Sequence, residues 1–170
     1  MSINNLGVTL PPYQQHYVSL TIGENIAELI ANHSTALLAF YSSIPEEKAD
    51  YRYAEGKWTV KQLLQHVIDT ERILTYRALC LSRQEPLPLN GFDENSYALN
   101  ATASDRSLGS LKEEFILTRK STDVLLSSFT KEQWNAKGVV NKNIINVKAI
   151  AHILFGHNIH HQNILTEKYL

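Results

Sequence analysis

A chain of 170 residues, 44% hydrophobic and with a formal net charge of −1, suits one domain; at that size about 70% of the unfolded surface is buried on folding, enough for a core without disulfide staples. The near-neutral balance leaves no basic field of the kind nucleic acid or an anionic membrane surface selects, so neither is expected as a partner. The single cysteine, Cys80, excludes an internal disulfide and fits a reducing, cytoplasmic setting; no apolar run reaches the ~20 residues that span a bilayer, and Met1–Tyr17 lacks the basic-then-apolar pattern of a signal peptide.

Residues 1–18 read as an irregular N-terminal segment of a single domain covering 1–170. The first predicted helix runs from about Thr21 to Ser43, with Ile22, Ile26, Leu29, Ile30, Leu37 and Leu38 as its apolar stripe; Pro45 ends it. The second starts at Thr59, where Thr59 and Gln62 have the spacing of a capping box. It carries Val60, Leu63, Leu64, Val67, Leu74, Ala78 and Leu81 and stops before Pro86. The third begins near Ser104 or Asp105 and holds Leu108, Leu111, Phe115, Leu125 and Leu126. The fourth follows Asn146, a good N-cap, and runs from Val147 nearly to Leu170. Few segments show the strict alternation of strands. The connectors are roughly 15 to 20 residues long, against about 2 to 8 in simple bundles; the one after Pro86 carries Pro88, Asn90 and Gly91 and a predicted helical turn around Glu94–Leu99. The expected product is all-α: a four-helix bundle with at least one long crossover, in which metal sites are built from side chains on facing helices.

The chemistry concentrates in histidines. His157 and His161 are four apart on the fourth helix, so both imidazoles reach one point. On a helical projection they fall near the centre of the apolar arc of Ile150, Ile153, Leu154, Ile164 and Leu165, with His160 at its edge and His152 nearly opposite. His66, on the flank of the second helix, supplies a third imidazole. Three nitrogens with open positions are the pattern of a catalytic metal; the alternative is a set of hydrogen-bonded core histidines. Three neutral ligands leave the ion's full double charge in place, which lowers the pKa of a coordinated water toward ~7 and polarises a bound oxygen or sulfur. The residue after His157 is Asn158, not the glutamate that His-Glu-x-x-His requires, so this is not a zincin. Asp69 and Glu71 are carboxylates that could receive the free N–H of a ligating ring, as could His160 from beside it; a solvated helix face is the other reading of Asp69.

Other residues have plainer expectations. Trp58 is placed to staple onto Leu63 or Leu64, with a pocket wall as its alternative. Phe92, Asp93, Glu94, Asn95 and Tyr97 could border the metal cavity or form a polar loop. Tyr51, Arg52 and Tyr53 read as a surface turn that could hold an anionic substrate end. Cys80 reads as a buried apolar filler. Phe155 and Ile159 lie away from the histidines and are expected to meet the N-terminal segment or a second copy of the chain.

Three stretches carry a resemblance: Gly56-Lys57-Trp58-Thr59 through His66 to Asp69, the loop Gly91-Phe92-Asp93-Glu94, and Gly156-His157-Asn158-Ile159-His160-His161-Gln162. Together they resemble the DinB-like (DinB/YfiT-like) superfamily, over about Asn25 to Leu170. The resemblance implies an up-down-down-up four-helix bundle, often a homodimer, with a divalent metal held by His66, His157 and His161. It implies a small-molecule substrate and, as a leading activity, thiol-dependent S-transfer from a low-molecular-weight thiol to a small electrophile. A metal-dependent ester or amide hydrolase and a non-catalytic metal-binding or stress-response module are the alternatives. The ion (zinc, nickel, iron or manganese) and the reacting residues beyond the ligands are not specified.

Overall fold

At the head of the second long helix the Thr59 side chain accepts a hydrogen bond from the Gln62 amide, and the Gln62 side chain accepts one from the Thr59 amide, so the capping box forms as its spacing predicts. The computed structural model describes residues 6–170. Its helices are α1 (Pro12–Ser19), α2 (Ile26–Ser43), α3 (Val60–Ser82), α4 (Glu94–Asn100), α5 (Leu108–Ser127), α6 (Lys131–Asn135) and α7 (Val147–Lys168); one hairpin, β1 (Lys137–Val140) and β2 (Asn143–Asn146), precedes α7.

Several boundaries differ from expectation for identifiable reasons. Helix α2 starts five residues later than Thr21, because Asn25 is its cap and accepts from the Glu28 amide. Gly23 sits at φ +142°, and a Cβ there would meet the Leu29 nitrogen at 2.9 Å, so residues 21–25 turn instead of coiling. Helix α5 starts at Leu108 because Ser107 accepts from the Ser110 amide; Ser104 and Asp105 belong to a separate short turn. Asn146 caps α7 through the Ala149 amide, as expected.

Two elements correct the sequence reading. The N-terminal segment is not irregular throughout, since residues 12–19 coil into α1 behind Pro12; residues 1–5 of that segment lie outside the described residues. Its apolar residues do not form a stripe of helical period, which left it unread. The hairpin was also missed. Asn141 and Lys142 take φ of +46° and +66°, the left-handed pair of a two-residue turn that matches strand twist, and Leu89 extends the pairing through its amide to Val139 O at 2.9 Å.

Contacts between side chains fix the direction of each helix. Helices α2 and α5 run antiparallel, since Ser34 bonds Asp123 while Tyr41 packs on Phe115. Helices α3 and α5 run parallel, Glu71 meeting Arg119 and Thr75 meeting Thr122. Helix α7 is parallel to α2, with Phe155 at His33 and Asn158 at Tyr41, and antiparallel to α3, with His157 at His66 and Tyr169 at Trp58. This is the expected up-down-down-up bundle. The parallel pair α3–α5 accounts for the long connector over residues 83–107, because the chain must return along the whole bundle. Among the described residues no helix is long and apolar enough to cross a membrane.

Phe155 is fully buried, its ring 5.9 Å from that of His33 on α2 and 4.4 Å from the Arg119 guanidinium on α5. The N-terminal segment covers a neighbouring face of α7: Tyr17 O lies 2.0 Å from where a Cβ on Gly156 would stand, and Thr21 Oγ1 hydrogen-bonds His152 Nδ1 at 2.8 Å. His152, opposite the site histidines as projected, is therefore buried too. Cys80 is only half-buried.

Candidate metal centre

Helices α3 and α7 cross so that His66, His157 and His161 meet in the interior. Their ring centroids are 5.0 Å (His66–His157), 4.9 Å (His66–His161) and 4.5 Å (His157–His161) apart. One nitrogen from each lies within 4.8 Å of the others, and the His66 and His157 Nε2 atoms are 3.0 Å apart. Three nitrogens bound at ~2.1 Å to a tetrahedral ion sit about 3.4 Å apart, so ligation asks for small ring adjustments and no backbone change. Exposure is 6%, 5% and 9% for the three residues. Burial first, and the neighbouring histidines second, pull the His66 pKa down to about 4 and those of His157 and His161 well below the ordinary value. The rings are thus neutral near pH 7, the state that ligates. The Nδ1 atoms of His157 and His161 have no hydrogen-bond partner among the described residues. The donor set and the convergence fit a divalent ion; among the described residues no carboxylate braces the rings.

That last point corrects an expectation. Asp69 accepts from Gln65 Nε2 at 2.9 Å, and burial raises its pKa. Glu71 faces away from the histidines into the middle of the bundle. It accepts from Asn158 Nδ2 at 3.0 Å and lies 3.3 Å from Arg119, which also donates to Asp123 at 3.0 Å. Asn158, next to His157, donates to Leu154 O, and its carbonyl accepts from Tyr41. His160 is half-buried, edge-on to His161 at 5.0 Å and near His16 at 5.4 Å.

Aromatic side chains wall the centre. Trp58 takes the wall position that was the alternative to a staple: its ring lies 4.8 Å from that of His66, and Tyr169 donates to its carbonyl. Tyr51 and Tyr53 rest edge-on against Tyr169, and Arg52 stays exposed on that turn. On the other side, Tyr17 stands edge-on to His157 at 5.5 Å.

A cavity of about 440 Å³ opens beside His157, lined among others by Tyr17, Thr70, Arg77, Phe92, Glu94 and Ile153. Phe92 and Glu94 thus border the centre as one reading of the loop expects. Asp93 instead caps α4, accepting from the Asn95 and Ser96 amides. Tyr97 lines a separate cleft with Asp69 and Arg72. Sequence reasoning passed over Tyr17, Thr70 and Arg77. Thr70, Leu74 and Arg77 continue the face of His66 at helical spacing, a signal available in the sequence; Tyr17 gave none, since its helix went unread.

Comparison with known proteins agrees with this architecture. A profile of the DinB superfamily matches residues 29–165. Two solved structures from Bacillus subtilis are similar, each at 16% identity. YfiT, described as a probable metal-dependent hydrolase with an unusual four-helix bundle topology, superposes with a TM-score of 0.68 over 94% of this chain and 87% of its own. The DinB-like protein YjoA superposes with a TM-score of 0.57 over 83% and 85%. No curated protein matches. At such identity the structures speak for the fold, and the profile, spanning most of the sequence, speaks for the family: the chain belongs to the DinB superfamily.

Proposed function

We propose that this protein is a divalent-metal-dependent enzyme whose ion is held by His66, His157 and His161 and whose reaction transfers a low-molecular-weight thiol to a small electrophile. The observation that carries the reading is the buried convergence of three neutral imidazoles, one of which, His157, lines a cavity. When bound, an ion with only neutral ligands keeps its full double charge and favours the deprotonated form of a coordinated thiol. In the reaction the thiol sulfur forms a carbon–sulfur bond, the leaving group departs with the electrons of its own bond, and the thiol proton passes to a base. Glu94, on the cavity wall, is the carboxylate available to take that proton. Tyr17, whose pKa burial raises, stays protonated and can donate a hydrogen bond to a leaving group. Imidazole ligation admits zinc, nickel and iron; manganese remains on the list of ions to test. A homodimer and a cytoplasmic setting belong to the same reading, the former supported by Leu117 and Val124, exposed seven residues apart on α5.

The test is S-conjugation of a thiol to a chlorinated or epoxide probe by protein purified without a metal-affinity column and assayed for bound metal. His157→Ala should abolish turnover, and full activity in that variant would end the proposal. Hydrolysis of an ester or amide is the second reading. Glu94 is equally placed to accept a proton from water, and the similarity to YfiT, a probable metal-dependent hydrolase, favours it. A panel of chromogenic esters run with and without chelator separates the two.

A further inference from the structure

The imidazoles of this chain do not stop at the buried trio. His160 stands edge-on to His161, 5.0 Å between ring centroids, and His16 on α1 stands edge-on to His160 at 5.4 Å. The file runs outward from the interior through half-buried His160 to exposed His16. The ring nitrogens of these outer two make no hydrogen bond among the described residues. Helix α1 is held in place for this meeting. The Tyr17 backbone comes so close to α7 at Gly156 that a Cβ there would stand 2.0 Å from Tyr17 O, and His160 lies one turn further along α7. The Tyr17 ring packs on both His157 and His160, at 5.5 and 5.3 Å.

Two imidazoles that share a tetrahedral ion at about 2.1 Å have ring centres about 5.2 Å apart. The outer pair, at 5.4 Å, is nearer that spacing than His157–His161 at 4.5 Å. The buried ligands are only 5–9% exposed, so an ion reaches them through other donors or through the cavity beside His157. The wall of that cavity sets one carboxylate, Glu94, against one guanidinium, Arg77, and offers no imidazole besides His157. An ion that sheds its water in a passage without donors gains nothing in return. A file of imidazoles replaces each lost ligand in turn.

We propose that His16 and His160 form an outer two-histidine site for a divalent transition metal, and that this site loads the buried centre: His160 keeps hold of the ion while His161 replaces His16 as its second imidazole. The inference rests on the metal half of the reading above and not on the thiol. At each step one nitrogen–metal bond forms as another breaks, with no change in charge or oxidation state. His16 and His160 are absent from the finished centre, so they set the rate of loading and leave its equilibrium affinity alone.

Trp58 reports on the centre, its ring lying 4.8 Å from that of His66. Chelator-stripped protein is mixed rapidly with nickel, an ion that imidazole accepts and that quenches nearby indole fluorescence; Trp58→Phe assigns the signal. His16→Gln and His160→Gln should each slow loading at least tenfold, while the affinity measured at equilibrium stays within threefold of the parent's. His16→Cys, which keeps a donor, should load at nearly the parent's rate. In protein whose centre is already filled with zinc, a trace of nickel should broaden the ring-proton resonances of His16 and His160 before those of His33. Unaltered loading rates in both glutamine variants would remove the outer site's role and keep the metal reading. Slower loading matched by an equal loss of equilibrium affinity, or broadening that spares His16 and His160, would overturn the proposal as well. Failure of nickel to quench Trp58 in the parent would end the proposal and the metal reading together.

Discussion

Gly156→Ala isolates one contact on which the N-terminal helix depends. The added Cβ would stand 2.0 Å from Tyr17 O, 2.5 Å from Tyr17 C and 2.9 Å from Tyr17 Cα, all of them backbone. Relief to ordinary contact distance moves α1 by about 1.4 Å from α7. Overpacking of this kind destabilises by about 1–3 kcal/mol, and a rigid backbone neighbour puts the case at the upper end. The alanine also returns about 1 kcal/mol of helix propensity to α7, so the net loss should be about 2 kcal/mol. For a chain of this length that lowers Tm by roughly 4–8 °C. Because Tyr17 stands edge-on to His157, the displacement should also weaken metal binding while far-UV dichroism stays nearly unchanged. Differential scanning calorimetry with and without added zinc reads both effects. A variant with Tm raised by a few degrees would show the propensity gain alone and would refute the close approach of α1 to α7.

The other expectations concern charge and metal. Breaking the buried pair by Glu71→Leu or Arg119→Leu should lower stability by about 3–5 kcal/mol each, because one uncompensated charge remains; a urea titration showing the double variant nearer the parent than either single one identifies a true pair. His152 has a pKa of about 4 against ~6.5 unfolded, so the unfolded state binds more protons between those values. Stability is then full above about pH 6.5 and falls by roughly 3 kcal/mol on acidification toward pH 4; His152→Asn should flatten the Tm profile in that window, and an unchanged slope would count against the burial. Chelator should lower Tm, and zinc at 100 times its Kd should restore about 2.7 kcal/mol, with no such effect in His66→Ala.

How much of this could be read from the residues alone depended on the range of the signal. Thr59 with Gln62, Asn146, and the His157–His161 pair are local patterns, and each landed where its geometry places it. The hairpin and α1 were lost because each is short and borrows its order from neighbours: Leu89 and α3 hold β1, and the Gly156 face of α7 holds α1. Glu71 was rightly suspected of a polar task, since it falls within an apolar arc. Its partner, Arg119, lies 48 positions later in the chain, and no local pattern links the two. His16 meets His160 from another helix, and the meeting is visible only once α1 has been seated on α7.

The polar layer of Glu71, Arg119, Asn158 and Tyr41 ties α2, α3, α5 and α7 together at a single height in the bundle. An apolar interior tolerates one helix sliding along another, because one leucine contact resembles the next. Here a slip of one turn, about 5.4 Å, would strand a carboxylate and a guanidinium without each other in a medium that solvates neither. Only one vertical alignment of the four rods is therefore allowed, and it is the alignment that sets His66 level with His157.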